Sequence, residues 1–233
     1  MAITDLPGGF KVVSGRDAYS NIAKEMLIKN GIALTDSPAA AAAKIAGRAN
    51  LDKILKRFIT VNPDMKAMLD RVRRLSLVRD PVLIQGPTGT GKEILAEALS
   101  ADTGKYMPLN CAAFTDTLIE SDLFGHTKGA YTDAKEARNG ALVTAGDGTV
   151  YLDEIDKMSL SGQSKLLRAI QDHKVRPLGS SEYIDISCRF IASSKVDLGQ
   201  LVDQGRFLID LYARLSTFEV HISPIKDRPE DID

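Results

Sequence analysis

The chain has 233 residues, 44% hydrophobic and 26% charged, with 30 basic residues against 31 acidic ones for a net charge of -1. That composition excludes a wholly disordered chain, a collagen-like repeat and a disulfide scaffold, and at ~150 residues per domain it suits one or two domains with a sizeable core. The charge balance argues against a wide surface for gripping nucleic acid, which needs excess Lys and Arg.

The first residues, MAITDLPGGF, have no basic segment followed by an apolar one, so no secretory signal is read there. No apolar run approaches the ~20 residues of a membrane helix. Cys111 and Cys188 lie far apart with no metal-ligand spacing and read as reduced, buried thiols. The expectation is a cytoplasmic protein without membrane contact.

Residues 1–55 differ in style from the rest. Leu6, Pro7, Gly8 and Gly9 read as a turn. Residues 18–30 suit an amphipathic helix with Ile22, Met26 and Leu27 inward and Gly31 as its stop. Ser37 and Pro38 read as a cap and first helical residue before an alanine run. This segment is either a helical extension packed on the main domain or a regulatory or docking element. Residues 56–233 form the main domain.

From about residue 58 short apolar strands alternate with amphipathic helices. Strands are expected over 82–84, 106–109, 149–152, 186–192 and 218–222. Helices are expected over 94–99, 115–123 and 161–171, the last with Leu166, Leu167 and Ile170 on one face. A hairpin is expected between 174 and 186, around Gly179, Ser180 and Ser181. This alternation predicts an α/β fold with a mainly parallel sheet flanked by helices, whose ligands sit at the carboxyl ends of the strands.

The strongest motif is Gly86, Pro87, Thr88, Gly89, Thr90, Gly91, Lys92 and Glu93, after a strand and opening a helix. Its glycines let backbone N–H groups turn towards phosphate oxygens, and the helix N-terminus adds positive potential. Lys92 supplies a point charge for the β- and γ-phosphates. Glu93 stands where a Ser or Thr ligand of Mg²⁺ is usual. A second apolar strand delivers Asp153, suited to hold Mg²⁺, and Glu154, suited to orient and deprotonate a water. The bland alternatives are a structural glycine turn and a solvated pair of acids. Their coincidence in one chain favours ATP and Mg²⁺ as ligands.

Between these motifs lie Asn110, Cys111, Ala112 and Ala113, then 120–126 (ESDLFGH), then Gly129, Ala130, Tyr131, Thr132, Asp133 and Ala134. Together with 163–171 (QSKLLRAIQ), 205–215 (GRFLIDLYARL) and 228–232 (RPEDI), they resemble the central AAA+ domain of bacterial enhancer-binding proteins, the ATPases that activate sigma-54 RNA polymerase. The resemblance covers residues 58–233 and accounts for Glu93, because the family commonly carries GKE.

The resemblance implies a P-loop NTPase of AAA+ type that hydrolyses ATP as a homo-oligomeric ring, a hexamer. It implies that Asn110 is a switch residue pairing with Glu154 and that Ser194 is the first sensor. Arg214 would reach a neighbour's γ-phosphate in trans. The 129–134 loop would touch sigma-54, and the 174–186 hairpin would be a second pore-facing loop or a plain surface hairpin.

Four departures qualify these implications. Asp133 replaces a loop glycine, Leu208 replaces one of two paired arginines, and Lys195 replaces an asparagine. The chain stops where the family's helical lid would begin, with no helix-turn-helix DNA-binding module. The expected function is an ATPase core that drives the Tyr131 loop against a protein partner in transcription regulation. Two alternatives stay open: a nucleotide-responsive assembly module with little turnover, and an ATPase acting on a client other than sigma-54.

None of His126, His173 and His221 has a metal-ligating partner three or four residues on, so no metal beyond the nucleotide's Mg²⁺ is expected.

Overall fold

A computed structural model describes residues 3–6, 10–13, 38–112, 116–132 and 134–232. The helix expected over 18–30, turn residues 7–9, Ala113 and Asp133 lie outside the described residues.

Two short strands open the chain, β1 (Ile3–Leu6) and β2 (Phe10–Val13), paired antiparallel with Leu6 opposite Phe10. The sequence reading places no strands here. Helix α1 (Pro38–Leu55) follows, starting at the proline expected as its first residue. Helix α2 (Pro63–Leu75) was not anticipated. Asn62 caps it by accepting the Met65 N–H at 2.9 Å, and Met65, Leu69, Val72 and Leu75 line its buried face at helical spacing.

The centre is a five-stranded sheet. Its members along the chain are β3 (Val82–Gln85), β4 (Tyr106–Asn110), β7 (Thr149–Asp153), β10 (Arg189–Ser194) and β11 (Phe218–His221); between β4 and β7 the chain forms a separate short antiparallel pair, β5 (Gly125–His126) and β6 (Arg138–Asn139). The spatial order is β11-β3-β10-β7-β4, and every neighbouring pair is parallel. β10 therefore lies between β3, which ends at the glycine-rich 86–93 loop, and β7, which ends at Asp153 and Glu154.

Both sheet faces are covered, as a parallel sheet requires. Successive strand residues point to opposite faces. Val82, Ile84, Tyr151 and Ile191 pack with α1, α2 and α3 (Lys92–Leu99). Leu83, Val150, Leu152, Phe190 and Ala192 pack on the other face. The helices there are α4 (Asp116–Phe124), α5 (Ala141–Thr144), α6 (Leu160–Asp172), α7 (Leu198–Asp203) and α8 (Ile209–Leu215). On α6, Leu166 and Ile170 are buried as expected, whereas Leu167 is only partly so.

The expected strand over 186–192 is shifted. It begins at Arg189, which is in register with Thr149, and runs to Ser194. Ile186 instead bonds its N–H to His173 O at 2.9 Å, extending the hairpin of β8 (Lys174–Val175) and β9 (Ile184–Asp185). The shift places Ser193 and Ser194 at the carboxyl edge of the sheet, beside Asp153.

A buried cation ties the layers together. The Arg189 guanidinium donates to Leu99 O at 2.8 Å, Leu75 O at 2.9 Å and Asp80 O at 3.3 Å. Two of these carbonyls end α3 and α2, where unpaired acceptors and the negative end of the helix dipole suit a cation. Both cysteines are free and buried.

Candidate active site

The loop after β3 is fastened to the sheet edge. Gly86 N–H donates to Ser194 O at 3.2 Å, and Thr90 Oγ1 donates to Pro87 O at 2.9 Å. Pro87, Thr88 and Gly89 are exposed, so the loop's crest faces solvent. Gly91 caps α3 with φ +94°, a conformation L side chains rarely adopt. A Cβ there would also stand 2.8 Å from the Phe58 ring. Glu93 lies exposed in the first turn of α3, where the helix dipole favours an acid.

Lys92 Nζ donates to Gly86 O at 2.7 Å and Pro87 O at 2.9 Å, so its ammonium is held within the loop. Burial lowers its pKa, while Asp153, Glu154 and Asp156 oppose that shift and Lys195 adds to it. Lys92 thus shares one electrostatic site with these three acids and a second lysine.

At the end of β7, Asp153 Oδ1 accepts three donors: the Tyr151 hydroxyl at 2.9 Å, the Ser193 hydroxyl, and the Glu154 N–H at 3.1 Å. Burial, with the Asp153 charge adding, pushes the Tyr151 phenol up, so it stays a donor. None of the hydrogen bonds among the described residues falls on Asp153 Oδ2, which leaves that oxygen for a cation. No cluster of three or more acidic, His or Cys side chains that could hold a metal occurs among the described residues. A Mg²⁺ ion commonly takes one or two carboxylates and completes its shell with phosphates and water, and this donor set fits it.

Glu154 adopts a left-handed backbone, φ 51° and ψ 46°, uncommon for a non-glycine residue and typical of functional sites. Its side chain pairs with Lys195 Nζ at 3.3 Å. Asn110 sits opposite Asp153 in the β4–β7 ladder, but its Oδ1 accepts the Ala112 N–H at 2.7 Å. Among the described residues no hydrogen bond joins Asn110 to Glu154, whose carboxylate is paired with Lys195 instead. Ser194 is fully buried and its hydroxyl lies 2.6 Å from Val196 O and 3.2 Å from Asp156 Oδ1.

Arg214 is exposed in the last turn of α8, and its guanidinium makes no ion pair among the described residues. Leu208 packs against the core, its N–H held by Gln163 Oε1 at 2.9 Å.

The 129–134 loop closes on itself. Gly129 N–H donates to Ala134 O at 2.8 Å and Ala134 N–H to Tyr131 O at 3.0 Å. The Tyr131 ring meets His126 edge-on, centroids 5.1 Å apart, and its hydroxyl lies 3.4 Å from Ser121 Oγ, which is 2.7 Å from His126 Nδ1. The 174–186 hairpin lies alongside. Thr127 N–H donates to Leu178 O and Leu178 N–H to Gly125 O, both at 2.9 Å.

Sequence reasoning missed Tyr151, Ser193 and Phe58. Tyr151 had a signal, being two residues before Asp153 and so on the same strand face. Ser193 reaches Asp153 through strand register, and Phe58 meets Gly91 through tertiary packing. Neither has a local signature.

A family model, the sigma-54 interaction domain, matches residues 58–221. The chain belongs to the sigma-54 interaction domain family. This domain is 42% identical over 180 residues to the C4-dicarboxylate transport transcriptional regulatory protein DctD of Pseudomonas aeruginosa, covering 76% of this chain and 39% of that protein. It is 37% identical over 221 residues to the formate hydrogenlyase transcriptional activator FhlA of Escherichia coli, covering 92% of this chain and 30% of that one. The chain thus spans well under half the length of these relatives.

Among solved structures, NtrX from Brucella abortus in complex with ADP superposes with a TM-score of 0.68 at 26% identity, over 93% of this chain and 45% of that one. The sigma-54 interaction domain here has the AAA+ P-loop NTPase fold, with a five-stranded parallel sheet between helical layers. Among the described residues no helix is long and apolar enough to cross a membrane.

Proposed function

We propose that this sigma-54 interaction domain binds Mg·ATP between the 86–93 loop and the Asp153–Glu154 strand end, hydrolyses it, and uses the change to drive the 129–134 loop against sigma-54 RNA polymerase. One observation carries the reading. β10 holds the phosphate loop and the acidic strand end on its two sides, so that Lys92, Asp153 and Glu154 act on one another. The family membership and the NtrX complex with ADP support it.

In the reaction, loop amides and Lys92 hold the β- and γ-phosphates. Mg²⁺, when bound at Asp153, neutralises developing charge on the phosphates. Tyr151 and Ser193 keep the Asp153 carboxylate fixed through Oδ1. Glu154 accepts a proton from the attacking water as the water oxygen bonds to the γ-phosphorus. The bond to the bridging oxygen breaks and its electrons leave with ADP. Arg214 of a neighbouring copy stabilises the spreading charge in trans, so turnover depends on a ring.

Movement of the loop requires release of Tyr131 from His126 and Ser121. The hairpin bonded beside it moves with it or holds it back, consistent with a second pore loop.

A second reading, a nucleotide-responsive module with little turnover, rests on Leu208, which packs into the core where the resemblance expects a cation. Steady-state hydrolysis by wild type and Glu154→Gln separates the two readings. Multiple turnover lost in the variant supports the ATPase. Binding with no turnover at any protein concentration supports the module.

A further inference from the structure

We propose that the cavity between α6 and the β8–β9 hairpin is a second ligand site, separate from the 86–93 loop. Its ligand is a compact organic anion with at least two carboxylate or phosphate groups. The site goes beyond the nucleotide reading and does not depend on it.

Shape is the first argument. The cavity encloses about 160 Å³. Pockets for drug-sized ligands run from ~300 Å³ upward, so the occupant here is smaller. The lining includes apolar side chains that are buried: Phe124 at the end of α4, Ala169 on α6 and Val175 on β8. Ala169 contributes only a methyl group, which leaves space above the helix. An apolar floor suits a carbon frame better than a bare inorganic ion.

The second argument is the charge around that floor. Lys165, Arg168, Ala169 and Asp172 follow one another on α6 at helical spacing, so they share the face turned to the cavity. The hairpin side adds Lys174 and Arg176. Four cations thus line the cavity against one acid, Asp172, in a chain whose net charge is -1. The excess is local to this cavity, and it selects an anion.

The third argument is which cations are free. Lys165 Nζ is engaged with Glu120 at 2.6 Å, and Lys174 Nζ lies 3.7 Å from Asp185. Among the described residues the Arg168 and Arg176 side chains make no hydrogen bond or ion pair, and both residues are exposed. The Arg176 guanidinium lies over the Tyr183 ring, 5.9 Å from its centroid, and Tyr183 is 60% exposed. Stacking occupies the face of a guanidinium and leaves the N–H donors in its plane. Two planar donor forks in one small cavity match two carboxylate or phosphate groups, each taken by a pair of N–H donors. A ligand with a single charge leaves one fork unmatched.

The test titrates the full chain by calorimetry, without magnesium and at matched ionic strength, with citrate, 3-phosphoglycerate and sulfate. Matching matters because salt screens exposed charges. The proposal predicts one citrate or 3-phosphoglycerate bound per chain, more tightly than sulfate. Tighter citrate assigns the forks to carboxylates and tighter 3-phosphoglycerate assigns them to phosphate, and either supports the site. Arg168→Ala and Arg176→Ala should each lose about tenfold or more in affinity, the scale of a charge-assisted hydrogen bond. Lys92→Ala should bind as wild type does, which sets this site apart from the phosphate loop. No binding of either organic anion, equal binding of sulfate, or affinity unchanged in both arginine variants overturns the proposal. Loss in Lys92→Ala also overturns it, because the anion then sits in the 86–93 loop. None of these outcomes touches the nucleotide reading. A thermal melt of each variant shows whether a loss of binding reflects a loss of folding.

Discussion

The Phe58 ring lies over Gly91, so close that a Cβ on Gly91 would come within 2.8 Å of two ring carbons. The chain segment entering α2 is thereby packed against the loop that opens α3. The same segment is held from the other end of the domain. Asp231 accepts from Thr60 Oγ1 at 2.7 Å, Val61 N–H at 2.7 Å and Asn62 N–H at 3.1 Å. The 86–93 loop therefore has a lateral wall fixed by Asp231.

Gly91→Ala combines a positive φ with that contact, and is expected to cost about 1–3 kcal/mol of stability and to weaken nucleotide binding. Gly104→Ala is the control, because a Cβ there meets nothing within 4 Å and its φ is not in the positive region. Urea unfolding of both variants checks the difference.

Arg189 is 1% exposed and satisfies carbonyls ending two helices. Burial lowers its pKa to about 10, so it remains charged at neutral pH. Arg189→Met is expected to destabilise the domain by about 3 kcal/mol, because buried acceptors are left unpaired. Equilibrium denaturation checks this. Unchanged stability would mean the carbonyls find other donors.

The thiols are predicted to be inert in the folded protein. Burial pushes Cys111 up to about 12 and Cys188 up to about 11. The thiolate is the reactive form. A thiol reagent at pH 8 should modify neither until denaturant is added. Rapid labelling of the native chain would contradict their burial.

Asp231 gives a pH dependence with a definite sign. Burial alone would raise its carboxyl. The hydrogen bonds from Thr60, Val61 and Asn62, with the Arg228 charge, outweigh it and hold the carboxyl below the ordinary 3.8. A lowered folded-state pKa gives stability that is present above 3.8 and lost as pH falls through the lower folded value. Asp231→Asn should be less stable than wild type at pH 7, and the two melting temperatures should converge in acid. Parallel curves would exclude Asp231 as a source of the acid sensitivity.

The sheet, and the glycine-rich loop and acidic pair at its strand ends, were legible because each is local. Apolar strands such as 82–85 and 149–153 have short runs bounded by glycine or acid, and the loop's chemistry needs fixed spacing. Helix α2 was hidden by its many charges, although Met65, Leu69 and Val72 recur at helical spacing. The start of β10 at Arg189 was misplaced because Ile186 and Cys188 continue the apolar run. Only pairing with Thr149 decides that Ile186 belongs to the hairpin. Lys195 was visible as a departure from the family. That it reaches Glu154, while Asn110 turns to Ala112, follows from side-chain geometry that spacing does not encode.

The most direct measurement is steady-state ATP hydrolysis against protein concentration for wild type, Glu154→Gln and Arg214→Ala. The account predicts specific activity that rises with concentration in wild type and falls to background in Glu154→Gln. It predicts a loss of about 10³-fold in Arg214→Ala, the scale of an arginine supplied in trans. Specific activity independent of concentration, or full turnover in Glu154→Gln, would contradict it.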